Sequence, residues 1–217
     1  MAEVYKTILN SHIDEITIER SRFIGYASPV NSEEAALEFI KNIKLKHRDA
    51  NHNVYGYVIG FNNEIQRYSD DGEPSGTAGI PVLEVIRKED LRNVVVVVTR
   101  YFGGIKLGAG GLVRAYTKGA KIALDAGKIV TKIMYRLIIL NVDYTLLGKI
   151  QNDIMQNEFI IKEIVYQEDV ALHIYVKNSE VESFKGKAID WTNNRCEIRE
   201  GQMEYLTELN GKIIFEE

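Results

Sequence analysis

The segment VVVVVTRYFGGIKLGAGGLVRAY, which begins at Val94, has the residue types of an anion-binding site. Its glycines can expose backbone N–H groups between a valine-rich strand and the first turn of a helix, where the helix dipole also favours negative charge. Three basic residues bracket the glycines, so their cations can converge on a bound phosphate or carboxylate. The residues predicted to form this site are Arg100, Gly103, Gly104, Lys106, Gly108 and Arg114.

The glycine spacing matches neither common nucleotide-binding fingerprint. A GxGxxG pattern that begins at Gly108 meets Val113 where its third glycine is needed. A Walker pattern that begins at Gly103 meets Ala109 and Gly110 where it needs lysine and a hydroxyl residue. The same glycines can instead serve tight turns and close packing of a helix on a strand. Both interpretations, an anion site and a packing motif, stay open at this point.

A second polar cluster lies in the loop YSDDGEPSGTAGIP, where Asp70, Asp71 and Glu73 are followed by the hydroxyls of Ser75 and Thr77. Carboxylates this close can bind a hard cation or pair with arginine. The calcium-loop pattern is absent, and Mg²⁺ typically takes only one or two protein carboxylates. A turn built from Asp, Gly and Pro explains the composition about equally well. We therefore predict no metal site.

His52, at the entrance of a predicted strand, can act as a hydrogen-bond donor, as a base or in neither role. The single cysteine, Cys196, and the lack of a GxSxG segment leave no hydrolytic constellation in the sequence. No Cys and His spacing typical of zinc sites is present either. We expect no cofactor and favour a binding protein over an enzyme, while leaving catalysis open.

Four segments resemble, in order and spacing, the hallmark segments of the IMPACT/YigZ family: SRFIGYASPV, DANHNVYGYVIG, SDDGEPSGTAGIPVLEVI and VVVVVTRYFGGIKLGAGGLVRAY. The resemblance covers residues 1–127, and the remainder is similar to the C-terminal domain of the bacterial branch and so to the last domain of elongation factor G. It implies that the first domain has the fold shared by the second domain of ribosomal protein S5, domain IV of elongation factor G and the kinases of the galactokinase class.

The resemblance also implies a function and a set of site residues. The eukaryotic branch of the family is known as a translational regulator that acts through a separate N-terminal module, which this sequence does not show. Only a general link to translation is therefore implied. The family-typical positions are His52, Asp70, Asp71, Glu73, Ser75, Thr77, Arg100, Gly103, Gly104, Lys106, Gly108 and Arg114.

The elements that must position these residues predict an α/β fold in two domains, 1–130 and 131–217, separated near Gly127. In the first domain the patterns predict a hairpin over 15–30 with a bend at Gly25, a helix over 31–47, a strand over 53–60, a long loop over 62–81, a short helix over 82–90, a strand over 93–101 and a helix over 110–125. The second domain has the βαββαβ order of a ferredoxin-like fold.

The charges are unevenly distributed over the chain and within the last helix of the first domain. Residues 1–130 hold 17 Lys and Arg against 16 Asp and Glu, whereas residues 131–217 hold 10 against 15. An acidic second domain is a poor phosphate binder. At helical spacing, Arg114, Lys118 and Lys121 fall opposite an apolar face. That apolar face holds Leu112, Tyr116, Gly119 and Ala123.

We expect the basic glycine loop and helix to contact RNA, the ribosome or a translation factor. The alternative is an enzyme for a phosphorylated small molecule, with phosphate on the glycine loop and Mg²⁺ on the acidic loop. No export signal and no bilayer-length apolar run are seen, so we expect a cytoplasmic protein without a membrane partner. A homo-oligomer also stays open.

Overall fold

The computed structural model describes residues 2–215, and the chain divides into two compact units, Met1–Thr131 and Lys132–Glu217. Each unit combines helices with an antiparallel sheet, which confirms the predicted α/β class. Within the described chain, no helix combines the length and the apolar character needed to cross a lipid bilayer.

The first unit is built on a sheet in the order β2-β3-β6-β4-β5, which places β6 at its centre. Its elements are β1 (Val4–Ile8), β2 (His12–Ile18), β3 (Ser21–Pro29), α1 (Glu33–Lys46), β4 (His52–Ile59), β5 (Ile65–Ser69), α2 (Gly79–Lys88), β6 (Val94–Tyr101) and α3 (Gly108–Ala126). The strands β1 and β5 were not predicted, and β5 lies inside the stretch that was expected to be a long loop.

The valines of β6 are buried on both faces of this sheet. Val94, Val96 and Val98 belong to one core cluster with residues of α2 and α3, and Val95 and Val97 belong to a second with residues of α1. Because helices cover both faces, every position of the strand is apolar rather than every other one. The last residues of β6 are therefore held in place by helices packed on both faces of the sheet.

The predicted bend at Gly25 is wrong, because Gly25 lies in the middle of β3, paired with Asp14 and Val98. The hairpin reverses instead at Glu19 and Arg20, whose φ angles are 45° and 62°. A Cβ at Gly25 would lie 2.2 Å from the carbonyl oxygen of Gly119 in α3. The glycine is needed because α3 packs directly on the backbone of β3.

The predicted helix over 31–47 is observed as α1, which spans Glu33–Lys46. Ser32 is the N-cap, and its hydroxyl accepts a hydrogen bond of 3.2 Å from the amide of Ala35. Pro81 lies in the first turn of α2. Proline is tolerated there because a backbone N–H in the first turn would have no acceptor within the helix. The helix α2 begins at Gly79, three residues before the predicted start at residue 82.

The second unit confirms the predicted βαββαβ order. Its elements are β7 (Ile129–Val142), α4 (Leu147–Gln156), β8 (Ile160–Tyr166), β9 (Val170–Lys177), α5 (Val181–Thr192) and β10 (Glu197–Leu209), followed by β11 (Lys212–Ile214). The sheet runs in the order β11-β10-β7-β9-β8, and its core includes Ile138, Ile150 and Phe184. No loop separates the units near Gly127, because β7 runs without a break through the boundary at Thr131.

Candidate functional site

The glycine segment leaves β6 as a turn that is attached to the sheet at two backbone amides. The amide of Phe102 donates to Oδ1 of Asn51 at 2.8 Å, and the amide of Gly103 donates to the hydroxyl oxygen of Ser21 at 3.2 Å. A Cβ at Gly103 would lie 1.9 Å from the carbonyl oxygen of Arg20, so only glycine fits there. The start of the loop is therefore fixed.

The rest of the loop is open. Gly104 and Gly108 have φ angles of 88° and 67°, and a Cβ at either position would meet nothing within 4 Å. Between residues 2 and 215, no acceptor is bonded to the backbone amides of residues 104–108. Leu107, the N-cap of α3, provides no side-chain acceptor for the first turn of that 19-residue helix. Exposed N–H groups and the positive end of the helix dipole thus coincide.

Three cations line a groove of about 560 Å³ beside this loop: Lys106, Arg114 and Lys118. Glu19 also lines the groove and is the acidic member of its lining. None of the three cations forms an ion pair with another residue of the described range, 2–215. Lys121, by contrast, pairs with Glu89 at 2.9 Å and with Asp125 at 2.6 Å. On the helix face predicted to be basic, the charge of Lys121 is therefore already neutralised by these two acids.

Arg100 does not join these cations, which corrects the expected convergence of Arg100, Lys106 and Arg114. Its guanidinium is buried and pairs with Oε1 of Glu73 at 2.6 Å. The same oxygen accepts a hydrogen bond of 2.7 Å from the hydroxyl of Tyr116 in α3. Burial first, and then the charge of Glu73, raise the pKa of Tyr116 above its ordinary value, so the phenol stays protonated and donates.

Arg100 nevertheless helps to position the start of the glycine loop. Its second terminal nitrogen lies 3.4 Å from the hydroxyl oxygen of Ser21, which also accepts from the amide of Gly103. Ser21 is fully buried and connects the ion pair with the glycine turn. The Glu73–Arg100 pair therefore determines where the loop begins rather than binding an anion itself.

The acidic loop is held together by its own carboxylates. Asp70 accepts hydrogen bonds from the amides of Gly76, Ala78 and Gly79 at 2.9, 3.1 and 2.7 Å, and so caps the start of α2. Asp71 pairs with Lys44 at 2.6 Å and accepts from the amide of Asn53 at 2.6 Å.

With Glu73 bound to Arg100 and Tyr116, all three carboxylates are engaged by protein donors. Within residues 2–215 no group of three His, Cys, Asp or Glu side chains is placed to hold a metal ion. The hydroxyl of Thr77 donates to the carbonyl of Pro74 at 2.7 Å, and Ser75 is exposed. The geometry of the loop thus agrees with the turn interpretation of its composition.

His52 is held in one orientation beside the buried pair. It faces Arg100 in the register of β4 and β6, and its Nδ1 lies 2.9 Å from the carbonyl oxygen of Asp71. Because a carbonyl only accepts, Nδ1 carries the proton. Nε2 then faces Oε1 of Glu73 at 3.8 Å, with about a quarter of the side chain exposed.

The predicted residues therefore separate into two groups. The structure brings His52, Asp71, Glu73 and Arg100 together in a supporting network. Lys106 and Arg114 line the groove, while Gly104 and Gly108 lie in the open loop beside it. Sequence reasoning missed Ser21, Asn51, Tyr116 and Phe102. The position of Tyr116 on the buried face of α3 was predicted, and a phenol on such a face needs a buried acceptor. That requirement was the available signal for a polar network.

Comparison with known proteins agrees with this architecture. Residues 19–124 match the model of the Impact N-terminal domain, and residues 140–195 match a domain of unknown function, DUF1949. The chain is 47% identical over 206 residues to the IMPACT family member YvyE of Bacillus subtilis, covering 95% of each protein. It is 33% identical over 183 residues to the IMPACT family member YigZ of Escherichia coli, covering 83% of this chain and 90% of YigZ.

A solved structure described as that of a hypothetical protein is 30% identical, with a TM-score of 0.60, and the match covers 91% of this chain and 97% of the other. The two domain matches follow one another in the order that the motifs predicted. This chain belongs to the IMPACT/YigZ family.

Proposed function

We propose that this protein is a translation-related binding protein that contacts RNA phosphates through the groove of Lys106, Arg114 and Lys118. Membership of the IMPACT/YigZ family supports the link to translation. The observation that carries the proposal is that three cations without an ion-pair partner in the described chain lie beside exposed loop amides at a helix N-terminus. Phosphate oxygens are acceptors for both kinds of group.

The charge distribution supports RNA rather than an acidic protein as the ligand. RNA presents regularly spaced phosphates, and each neutralised phosphate releases counterions whatever the sequence. The loop glycines let a backbone approach closely, because no Cβ stands above Gly104 or Gly108. Such a surface binds mainly through phosphate contacts, which position the RNA.

The alternative of a phosphate-handling enzyme would need Mg²⁺ on the acidic loop. Asp70, Asp71 and Glu73 are instead bonded to amides, Lys44, Arg100 and Tyr116. No observation at the acidic loop favours catalysis over the binding function. A thermal-unfolding screen with nucleotides and Mg²⁺ separates the two proposals. A ligand at about a hundredfold its Kd would add about 2.7 kcal/mol to the free energy of unfolding.

The test of RNA binding is a salt titration with the full chain and a fragment of ribosomal RNA. We compare the wild type with the double variant Arg114→Ala, Lys118→Ala. Each lost phosphate contact lowers the slope of log K against log salt by about 0.7 to 0.9, so the double variant should lose about 1.4 to 1.8.

Lys121→Ala is the matched control, because Lys121 lies on the same helix and is already paired with two acids. It should leave the slope unchanged. No RNA binding by the wild type at low salt, or equal slopes for the wild type and the double variant, would overturn the proposal.

A further inference from the structure

Phe102 is an exposed aromatic residue immediately after the end of β6. The residue is 45% exposed, although its backbone amide is fixed by the 2.8 Å hydrogen bond to Asn51. Because nearly half of this large apolar residue stays in contact with water, its exposed part can still gain free energy by burial against a ligand. Phe102 is therefore available for an apolar or aromatic contact.

The positive charge of Arg100 lies against the Phe102 ring and is held in a fixed position. The guanidinium carbon of Arg100 lies 5.5 Å from the centroid of the Phe102 ring, and 5.4 Å from that of Phe23. Arg100 cannot move freely, because Glu73 holds it at 2.6 Å in the buried ion pair. A cation on one side of an aromatic ring attracts its π electrons, which favours an electron-rich ring stacked on the other side.

This platform adjoins the groove of Lys106, Arg114 and Lys118. Phe102 precedes Ile105, which lines the groove, by three residues, a separation that cannot exceed about 10 Å of chain. One of the two residues between them, Gly103, packs against the carbonyl of Arg20, next to Glu19, which lines the groove. An aromatic surface and three cations thus lie within reach of neighbouring nucleotides.

We propose that the RNA bound by this protein is unpaired, with a base stacked on Phe102 while its phosphates occupy the groove. The inference rests on the proposed RNA-binding function and names the ligand class. Bases inside a duplex already stack on each other and cannot reach an aromatic side chain, whereas unpaired bases can. The cation beneath the ring further favours purines, whose larger and more electron-rich rings stack best on an electron-poor surface.

The experiment measures fluorescence anisotropy with labelled oligoadenylate, either free or annealed to oligouridylate, and with oligouridylate alone. Phe102→Leu keeps an apolar cover over Arg100 but removes the π face, and Phe102→Trp keeps stacking. The wild type should bind free oligoadenylate more tightly than oligouridylate or the duplex. Phe102→Leu should weaken the binding of free oligoadenylate about tenfold and leave the duplex unchanged, while Phe102→Trp retains affinity.

Phe215→Leu is the matched control, because Phe215 is a 60% exposed phenylalanine of the second unit. It should not change the affinity for either RNA. Tighter binding of the duplex by the wild type, or equal losses for Phe102→Leu and Phe215→Leu, overturns the stacking proposal and leaves phosphate binding intact. No binding of any of these RNAs at low salt overturns the RNA-binding function as well.

Discussion

Replacement of Glu73 by alanine tests whether the buried ion pair holds the base of the glycine loop. Glu73 and Arg100 are 8% and 5% exposed, and their atoms meet at 2.6 Å. Removing one member of a buried pair costs about 3 to 5 kcal/mol, because the remaining charge stays buried without compensation. The hydroxyl of Tyr116 also loses its acceptor. We expect Glu73→Ala to lower the free energy of unfolding by about 3 to 5 kcal/mol.

Glu15→Ala is the matched control. Glu15 pairs with Arg22 at 2.5 Å, yet both side chains are 52% exposed. Since the two pairs have similar lengths and lie in the same unit, burial is the main difference between them. An exposed pair contributes about 0 to 1 kcal/mol. Tyr116→Phe should fall between the two variants, because it removes one hydrogen bond to a charged acceptor, worth about 1.5 to 3 kcal/mol.

The assay is urea unfolding followed by far-UV circular dichroism. Tryptophan fluorescence is unsuitable, because the single tryptophan, Trp191, lies in the second unit. The predicted order of destabilisation is Glu73→Ala, then Tyr116→Phe, then Glu15→Ala. If Glu73→Ala and Glu15→Ala lowered the free energy of unfolding equally, the ion pair would not support the loop and our reasoning would be refuted.

Two further predictions concern packing and pH. Gly25→Ala should destabilise the protein by about 1 to 3 kcal/mol, because its Cβ would lie 2.2 Å from the carbonyl oxygen of Gly119. Gly186→Ala should stabilise the protein by about 0.5 to 1 kcal/mol, because Gly186 lies within α5 and an added Cβ there would meet no other atom within 4 Å. Urea unfolding midpoints of both variants check these values. Burial lowers the pKa of His47 below its ordinary value, so its stabilising contribution is complete above pH 6.5 and falls as the pH drops towards the folded-state pKa. Urea midpoints measured from pH 8 to pH 5 should fall less in His47→Gln than in the wild type, and parallel curves would contradict this.

The sequence predicted the parts of the fold that depend on local patterns. The valines of β6 predicted a buried strand, and the spacing of Leu112 and Tyr116 predicted the buried face of α3. Each of these signals operates within a few residues of the chain. The βαββαβ order of the second unit followed for the same reason.

The strand β5 and the role of Gly25 could not be found in this way. The sequence of β5, IQRYS, carries too few apolar residues for a strand pattern, because it lies at the edge of the sheet. Gly25 is required by Gly119, which lies in a different element and approaches only when α3 packs on β3. Both features depend on tertiary contacts, which local patterns do not contain.

The candidate site was predicted in composition but not in geometry. Arg100, Lys106 and Arg114 were expected to converge, and the structure instead pairs Arg100 with Glu73, 27 residues earlier in the chain. A charged residue at the end of a strand can turn towards solvent or towards the core. The sequence around Arg100 does not show that Glu73 and Tyr116 lie on the side of the core.

The most direct test of the proposed function is a map of amide chemical shifts in the full chain, with and without RNA. Phosphates bound at the loop should shift the amides of Gly104 and Gly108 and the side-chain N–H of Arg114 most strongly. The amides of the second unit should change least. The largest shifts in β7 to β11, with the loop glycines unmoved, would contradict RNA binding at the groove of Lys106, Arg114 and Lys118.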